Sequence, residues 1–115
     1  MAGSTHTIVE TRAFTAKAKK LGVSHDELAE IYDIYAADPA YGKIERETGG
    51  LRKGRVAKDA TGKSGGYRVF SFYANAHDPL FLLWILDKTE DDSLTKAQKN
   101  TFRKLIGELK KELRG

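Results

Sequence analysis

The chain contains no cysteine and has no long apolar run. Without cysteine it cannot form a disulfide scaffold, a thiolate metal site or a cysteine nucleophile, and a reducing compartment is the expected environment. The longest apolar run, residues 80–86, is far too short to span a membrane, and residues 1–7 lack the apolar core of a signal peptide. The sequence therefore predicts a cytoplasmic protein with no membrane segment.

Length and composition predict one folded domain over residues 1–115. A chain of 115 residues is too short for two cores of ordinary size. With 40% hydrophobic and 31% charged residues, it has enough apolar material to bury a modest core.

The N-terminal half predicts a strand and then two helices. β-branched residues in 6–11 favour a strand, and Gly22 ends the helix-forming segment that follows. Ser24 and Glu27 have the spacing of a capping box, which starts a second helix that ends before Pro39.

The C-terminal half predicts three strands and a last helix. Residues 40–50 are expected to form a loop, and the strands are expected at Leu51–Ala57, 66–74 and Leu80–Asp87. Short connections make these strands antiparallel. The third strand is apolar on both faces, which suits a strand covered on both sides. With an amphipathic helix from Leu94 onward, the order is β-α-α-β-β-β-α, a small α+β domain with a mostly antiparallel sheet and helices packed against it.

Positive charge is concentrated in two blocks although the net charge is only +4. Residues 51–68 contain six basic and one acidic side chain, and residues 96–115 contain seven basic and two acidic side chains. The C-terminal block is equally consistent with a solvated helix face. The first block lies in predicted strands, where like charges repel one another, so it favours a binding site for a polyanion.

The two-residue period of a strand divides the first block between two faces. It places Lys53 and Arg55 on one face and Arg52 and Lys58 on the other. Arg68 begins the next strand and is expected to converge on the same cleft. The alternative is that Arg68 only forms an ion pair, with Asp87 or Asp59.

Other motifs have simpler interpretations. Residues 57–64 fit a relaxed phosphate-loop pattern, but they lead into a strand rather than a helix, so a basic hairpin loop is favoured over a nucleotide site. The three histidines have no metal-ligand spacing, and no metal is expected. Glu90, Asp91 and Asp92 precede the last helix and are expected to stabilise its N-terminus.

Three segments taken in order resemble the RelE/ParE superfamily of toxin–antitoxin toxins, in particular its HigB-like branch. They are residues 48–57 (TGGLRKGRVA), 62–69 (GKSGGYRV) and 82–90 (LLWILDKTE). The resemblance implies a ribosome-dependent mRNA endoribonuclease that inhibits translation and is silenced by a cognate antitoxin protein. The implied partners are therefore the antitoxin, the ribosome and mRNA, with no cofactor.

The resemblance also implies a set of site residues. Catalytic roles fall to Lys53, Arg55, Arg68 and Lys88, and substrate binding to Arg52, Lys58, Lys63 and Tyr73. Arginine suits the binding and neutralisation of a phosphate, whereas a lysine transfers protons only if its surroundings lower its pKa.

The sequence departs from the family pattern in its acid–base groups. Residues 89–95 contain no tyrosine or histidine, and Thr89 stands where the family has an arginine. Tyr67 and Tyr73 are the candidate substitutes, although Tyr67 is also expected to pack in the core. Two other functions stay open: a ParE-like poison of DNA gyrase, and a non-catalytic module that binds a partner through residues 94–114.

Overall fold

The computed structural model describes residues 6–57 and 66–114. Its elements, in chain order, are β1 (Ile8–Glu10), α1 (Arg12–Leu21), α2 (His25–Ala37), β2 (Lys43–Ile44), β3 (Leu51–Ala57), β4 (Gly66–Tyr73), β5 (Leu80–Asp87) and α3 (Lys96–Arg114). The α+β class and the predicted order of elements are confirmed. The structure adds β2, within the segment that was expected to be a loop.

Local signals in the sequence explain the ends of the first two helices. The Thr11 side chain accepts a hydrogen bond from the Phe14 N–H and caps α1, which ends at Gly22 with a φ of 75°. The capping box of Ser24 and Glu27 is present at the start of α2. Both helices therefore lie where the sequence places them.

The five strands form one sheet in the order β1-β5-β4-β3-β2. The three long strands, β3, β4 and β5, are antiparallel to one another, as expected, and β1 adds to β5 in parallel. β2 pairs with β3, with Ile44 opposite Arg52. A strand of two residues has no alternation that a sequence could show, so its pairing depends on the tertiary fold.

Each face of the sheet has its own hydrophobic core. α1 and α2 cover one face, where Phe14 and Ile31 are buried against Val69 of β4. α3 covers the other face, where Ile106 is buried against Leu51. β5 contributes to both cores, which explains why it is apolar on both faces.

The start of α3 differs from the expectation for the acidic cluster. Thr95 accepts a hydrogen bond from the Gln98 N–H at 3.1 Å, and the Gln98 side chain accepts one from the Thr95 N–H at 2.9 Å. The first turn of α3 holds no acidic residue. The carboxylates of residues 90–92 lie before this turn and bond to other groups, so the N–H groups of α3 are capped by Thr95 and Gln98 instead of by the acidic cluster. None of the helices in the described ranges has the length and hydropathy needed to cross a membrane.

Candidate functional site

The pairing of β3 with β4 brings three of the predicted site residues onto one face. Arg55 lies directly opposite Arg68, and Lys53 lies opposite Phe70. Because Leu51 and Phe70 belong to the core under α3, their face of the sheet is the one that carries Lys53, Arg55 and Arg68. This convergence confirms the face assignment made from the two-residue period.

These side chains line an open cleft of about 760 Å³. The described residues that line it are Tyr41, Gly42, Lys43, Glu45, Lys53, Gly54, Arg55, Arg68 and Asp92. Four of them are cations and two are carboxylates, which leaves a net charge of +2. The cleft therefore attracts anions.

Lys53 and Arg68 are held by carboxylates within the cleft. The Asp92 Oδ2 atom lies 3.1 Å from Arg68 Nε and 3.4 Å from Lys53 Nζ. A Glu45 carboxylate oxygen lies 3.8 Å from the same Lys53 nitrogen. Arg68 does form an ion pair, as the alternative interpretation held, but its partner here is Asp92, a residue that was expected at the helix terminus.

Arg55 differs from Arg68 in its surroundings. Its side chain is exposed, and its guanidinium makes no hydrogen bond or ion pair with any other residue in 6–57 or 66–114. Two arginines directly opposite each other in an antiparallel pair repel one another. Asp92 offsets the charge of Arg68, and an anion bound beside Arg55 would offset the second charge. The pair therefore has the chemistry of a phosphate-binding site.

A short turn and a tyrosine form the rim of the cleft. The buried Thr48 hydroxyl donates to the Glu45 carbonyl at 2.7 Å and accepts from the Leu51 N–H at 3.1 Å, which fixes the turn that carries Glu45. The Tyr41 hydroxyl donates to the Arg55 carbonyl at 2.7 Å, so the ring lies across β3.

Tyr41, Glu45 and Asp92 were not identified as site residues from the sequence. The one usable signal was Gly54, because a glycine inside a strand indicates that another group approaches the backbone closely. An added Cβ at Gly54 would lie 2.8 Å from the Tyr41 ring.

Several predicted site residues do not line the cleft. Lys88 is exposed after the end of β5, where its N–H donates to the Gly66 carbonyl. Arg52 faces the other side of β3 and donates to the Gly42 carbonyl at 3.2 Å. Tyr73 lies at the far end of β4, where its ring contacts His6 edge-on. Lys58 and Lys63 lie outside the described residues.

Tyr67 is a core residue. It is 1% exposed, and its hydroxyl donates to Glu27 Oε1 at 3.0 Å. Burial, followed by the hydrogen bond to Glu27, raises the pKa of its phenol. The packing interpretation of Tyr67 is therefore confirmed, and the substitute acid–base role has no support from its position.

The geometry favours phosphate chemistry that depends on arginine and lysine. Within the described ranges, no group of three or more His, Cys, Asp or Glu side chains is arranged to hold a metal ion. The cleft offers two guanidinium groups and two ammonium groups as charge partners, and two carboxylates as hydrogen-bond acceptors.

A comparison with known protein families gives a match. The sequence model of a family described as the RelE toxin of the RelE/RelB toxin–antitoxin system matches residues 6–113. The match covers nearly the whole chain, including every element that forms the cleft.

Proposed function

The chain belongs to the RelE toxin family, and from this premise we propose that it is a ribosome-dependent mRNA endoribonuclease that inhibits translation. Membership makes it the toxin of a toxin–antitoxin system and implies a RelB-type antitoxin as its partner. The HigB-like branch is part of the proposal and depends on the glycine-containing segment 62–69. An mRNA substrate also places the protein in the cytoplasm.

The observation that carries the proposal is the pairing of Arg55 with Arg68 in an open cationic cleft. A phosphodiester bound between them would offset their repulsion and accept hydrogen bonds from both forks. Because these contacts involve the backbone of the nucleic acid, they supply affinity without reading the base sequence.

Cleavage through the ribose 2′-hydroxyl uses a nucleophile that the RNA itself provides. The O2′ atom loses its proton and bonds to phosphorus, the P–O5′ bond breaks, and the O5′ atom takes up a proton. The products are a 2′,3′-cyclic phosphate and a 5′-hydroxyl end. Arg55 and Arg68 would stabilise the charge on the phosphorane, and the Lys53 ammonium, which faces the carboxylates of Asp92 and Glu45, would add to this positive charge. Lys88 stays a prediction from the resemblance.

The antitoxin is expected to cover the same cleft. An acidic or amphipathic segment is complementary to a surface that carries Lys43, Lys53, Arg55 and Arg68. Charge complementarity of this kind accelerates association and selects the partner. Binding there would exclude RNA and silence the toxin.

The proposal is tested by mapping 5′ ends of cellular RNA after brief induction of the toxin. Cuts are expected inside translated regions, in phase with codons, and their ends should be ligated only after phosphorylation because they carry a 5′-hydroxyl. Arg55→Ala is the informative variant, because Arg55 is exposed and its loss leaves no buried group unpaired. Arg12→Ala, an exposed arginine at the start of α1, is the matched control.

The outcomes separate the competing functions. The proposal expects new ends with wild type and Arg12→Ala, and their loss with Arg55→Ala. Growth arrest with intact mRNA and a DNA damage response would instead indicate a gyrase poison. Intact mRNA without arrest would indicate a binding module.

A further inference from the structure

We propose that Asp92 is a positioning residue of the cleft, which holds the Arg68 guanidinium so that its two terminal NH₂ groups face the RNA phosphate. This inference rests on the proposed function. Asp92 acts through Arg68, and secondarily through Lys53, rather than on the RNA itself.

The contacts of Asp92 carry the inference. Its Oδ2 atom accepts a hydrogen bond from Arg68 Nε at 3.1 Å and lies 3.4 Å from Lys53 Nζ. Within the described ranges this is the one side-chain hydrogen bond of Arg68, and it uses Nε rather than either terminal NH₂ group. A hydrogen bond at Nε fixes the direction of the guanidinium plane, while its two terminal NH₂ groups can still bind a phosphate with two hydrogen bonds.

The loop between β5 and α3 holds Asp92 in place. Glu90 accepts a hydrogen bond from the backbone N–H at the end of β5 at 2.9 Å, and pairs with Lys17 at 2.9 Å. Asp91 accepts from both the N–H and the hydroxyl of Ser93, at 3.0 and 2.6 Å. The three consecutive carboxylates thus have separate partners, and Asp92 is the one that lines the cleft. A side chain supported in this way can orient its neighbour reproducibly.

The geometry favours positioning over blocking. A carboxylate that occupied the phosphate site would engage the terminal NH₂ groups of Arg68, whereas Asp92 bonds to Nε. With Asp92 and Glu45 included, the cleft still has a net positive charge. Loss of the Asp92 charge should therefore not weaken RNA binding, but it should let the Arg68 fork rotate.

The test compares Asp92→Asn with wild type in steady-state cleavage of mRNA on ribosomes. We expect kcat to fall roughly 10- to 100-fold, because misplacement of a catalytic group by about 1 Å has an effect of that order. The KM should stay the same or fall, because a negative charge has been removed near the RNA. Asp92→Glu keeps the charge and should recover part of kcat.

Asp91→Asn is the matched control. It makes the same change of charge one residue away. The amide oxygen can still accept the hydrogen bonds of the neutral Ser93 groups, whereas at Asp92 the same change removes the charge assistance from the bond to the Arg68 guanidinium. The lysine of the Arg68→Lys variant has no Nε–H group to donate to Asp92. When Asp92→Asn is added to that variant, kcat should therefore fall by no more than about a further threefold. A structural role would instead lower kcat in both backgrounds.

A second readout does not depend on cleavage. The Nε–H resonance of Arg68 in ¹H–¹⁵N spectra should exchange slowly in wild type and Asp91→Asn, and rapidly in Asp92→Asn. Equal exchange in all three proteins, or an unchanged or increased kcat in Asp92→Asn, would overturn the inference. If wild type does not cleave mRNA at all, the proposed function fails. If the Arg68 Nε–H still exchanges slowly in a wild-type protein that does not cleave mRNA, the contact between Asp92 and Arg68 is a structural ion pair, and the positioning role of Asp92 is overturned as well.

Discussion

Replacement of Gly54 by alanine should destabilise the protein and distort the cleft. The new Cβ atom would lie 2.7 Å from the Tyr35 hydroxyl and 2.8 Å from two carbons of the Tyr41 ring. Tyr35 is fully buried and cannot turn into solvent, and Tyr41 is held by its hydrogen bond to Arg55. Overpacking of this kind typically costs about 1–3 kcal/mol.

The expected change in Tm follows from chain length. With an unfolding entropy of about 2.1 cal/mol/K per residue, 1 kcal/mol corresponds to about 4 °C for 115 residues. Gly54→Ala should therefore lower Tm by roughly 4–12 °C in calorimetry.

Gly107→Ala is the matched control for the same chemical change. Gly107 lies in α3, and an added Cβ there meets nothing within 4 Å. Alanine is favoured over glycine inside a helix by about 1 kcal/mol, so this variant should raise Tm by about 4 °C. Combining Gly54→Ala with Tyr35→Phe removes one of the crowded atoms and should recover part of the loss. A Gly54→Ala protein that melts at or above wild type would refute the close packing of Tyr35 and Tyr41 on β3.

Three further predictions concern the stability of the fold. Burial and a hydrogen bond to Glu10 raise the pKa of Tyr32 to about 12. The neutral Tyr32 phenol therefore contributes fully to the free energy of unfolding below pH 10, and this contribution is lost as pH rises through 12. In urea unfolding from pH 9 to 12.5, Tyr32→Phe should lose less of its free energy of unfolding than wild type. Thr48→Val leaves two backbone partners unpaired and should cost about 1–3 kcal/mol by the same assay at pH 7, whereas no change would contradict the role of this hydroxyl. Hydrogen bonds from the Asp87 N–H and from Lys17 lower the pKa of Glu90. The ionised Glu90 carboxylate therefore stabilises the fold above pH 4.5, and this contribution is lost as the pH falls below that value. In Glu90→Gln the free energy of unfolding should fall less steeply in acid than in wild type.

Signals that act along the chain were sufficient to predict most of the fold. The Ser24 capping box and the αL glycine at Gly22 are local features, so they formed where the sequence placed them. The strand period likewise placed Lys53 and Arg55 on one face. The apolar residues on both faces of β5 correctly indicated two covering layers.

Features that depend on pairing between distant segments could not be predicted in this way. Ile44 pairs with Arg52 across a turn whose geometry depends on the buried Thr48. Asp92 is 24 residues from Arg68, and nothing in the run of three acidic residues distinguishes the one that enters the cleft. Such contacts are set by the sheet register and by the course of the loop after β5.

Purified toxin, released from its antitoxin, tests the account most directly when incubated with a defined mRNA in the presence or absence of ribosomes. The account predicts cleavage that requires ribosomes and leaves 5′-hydroxyl ends. Arg55→Ala should abolish it, while Arg12→Ala should leave it unchanged. Cleavage by Arg55→Ala at the wild-type rate, with both proteins equally folded, would contradict the assignment of the cationic cleft as the RNA-cleaving site.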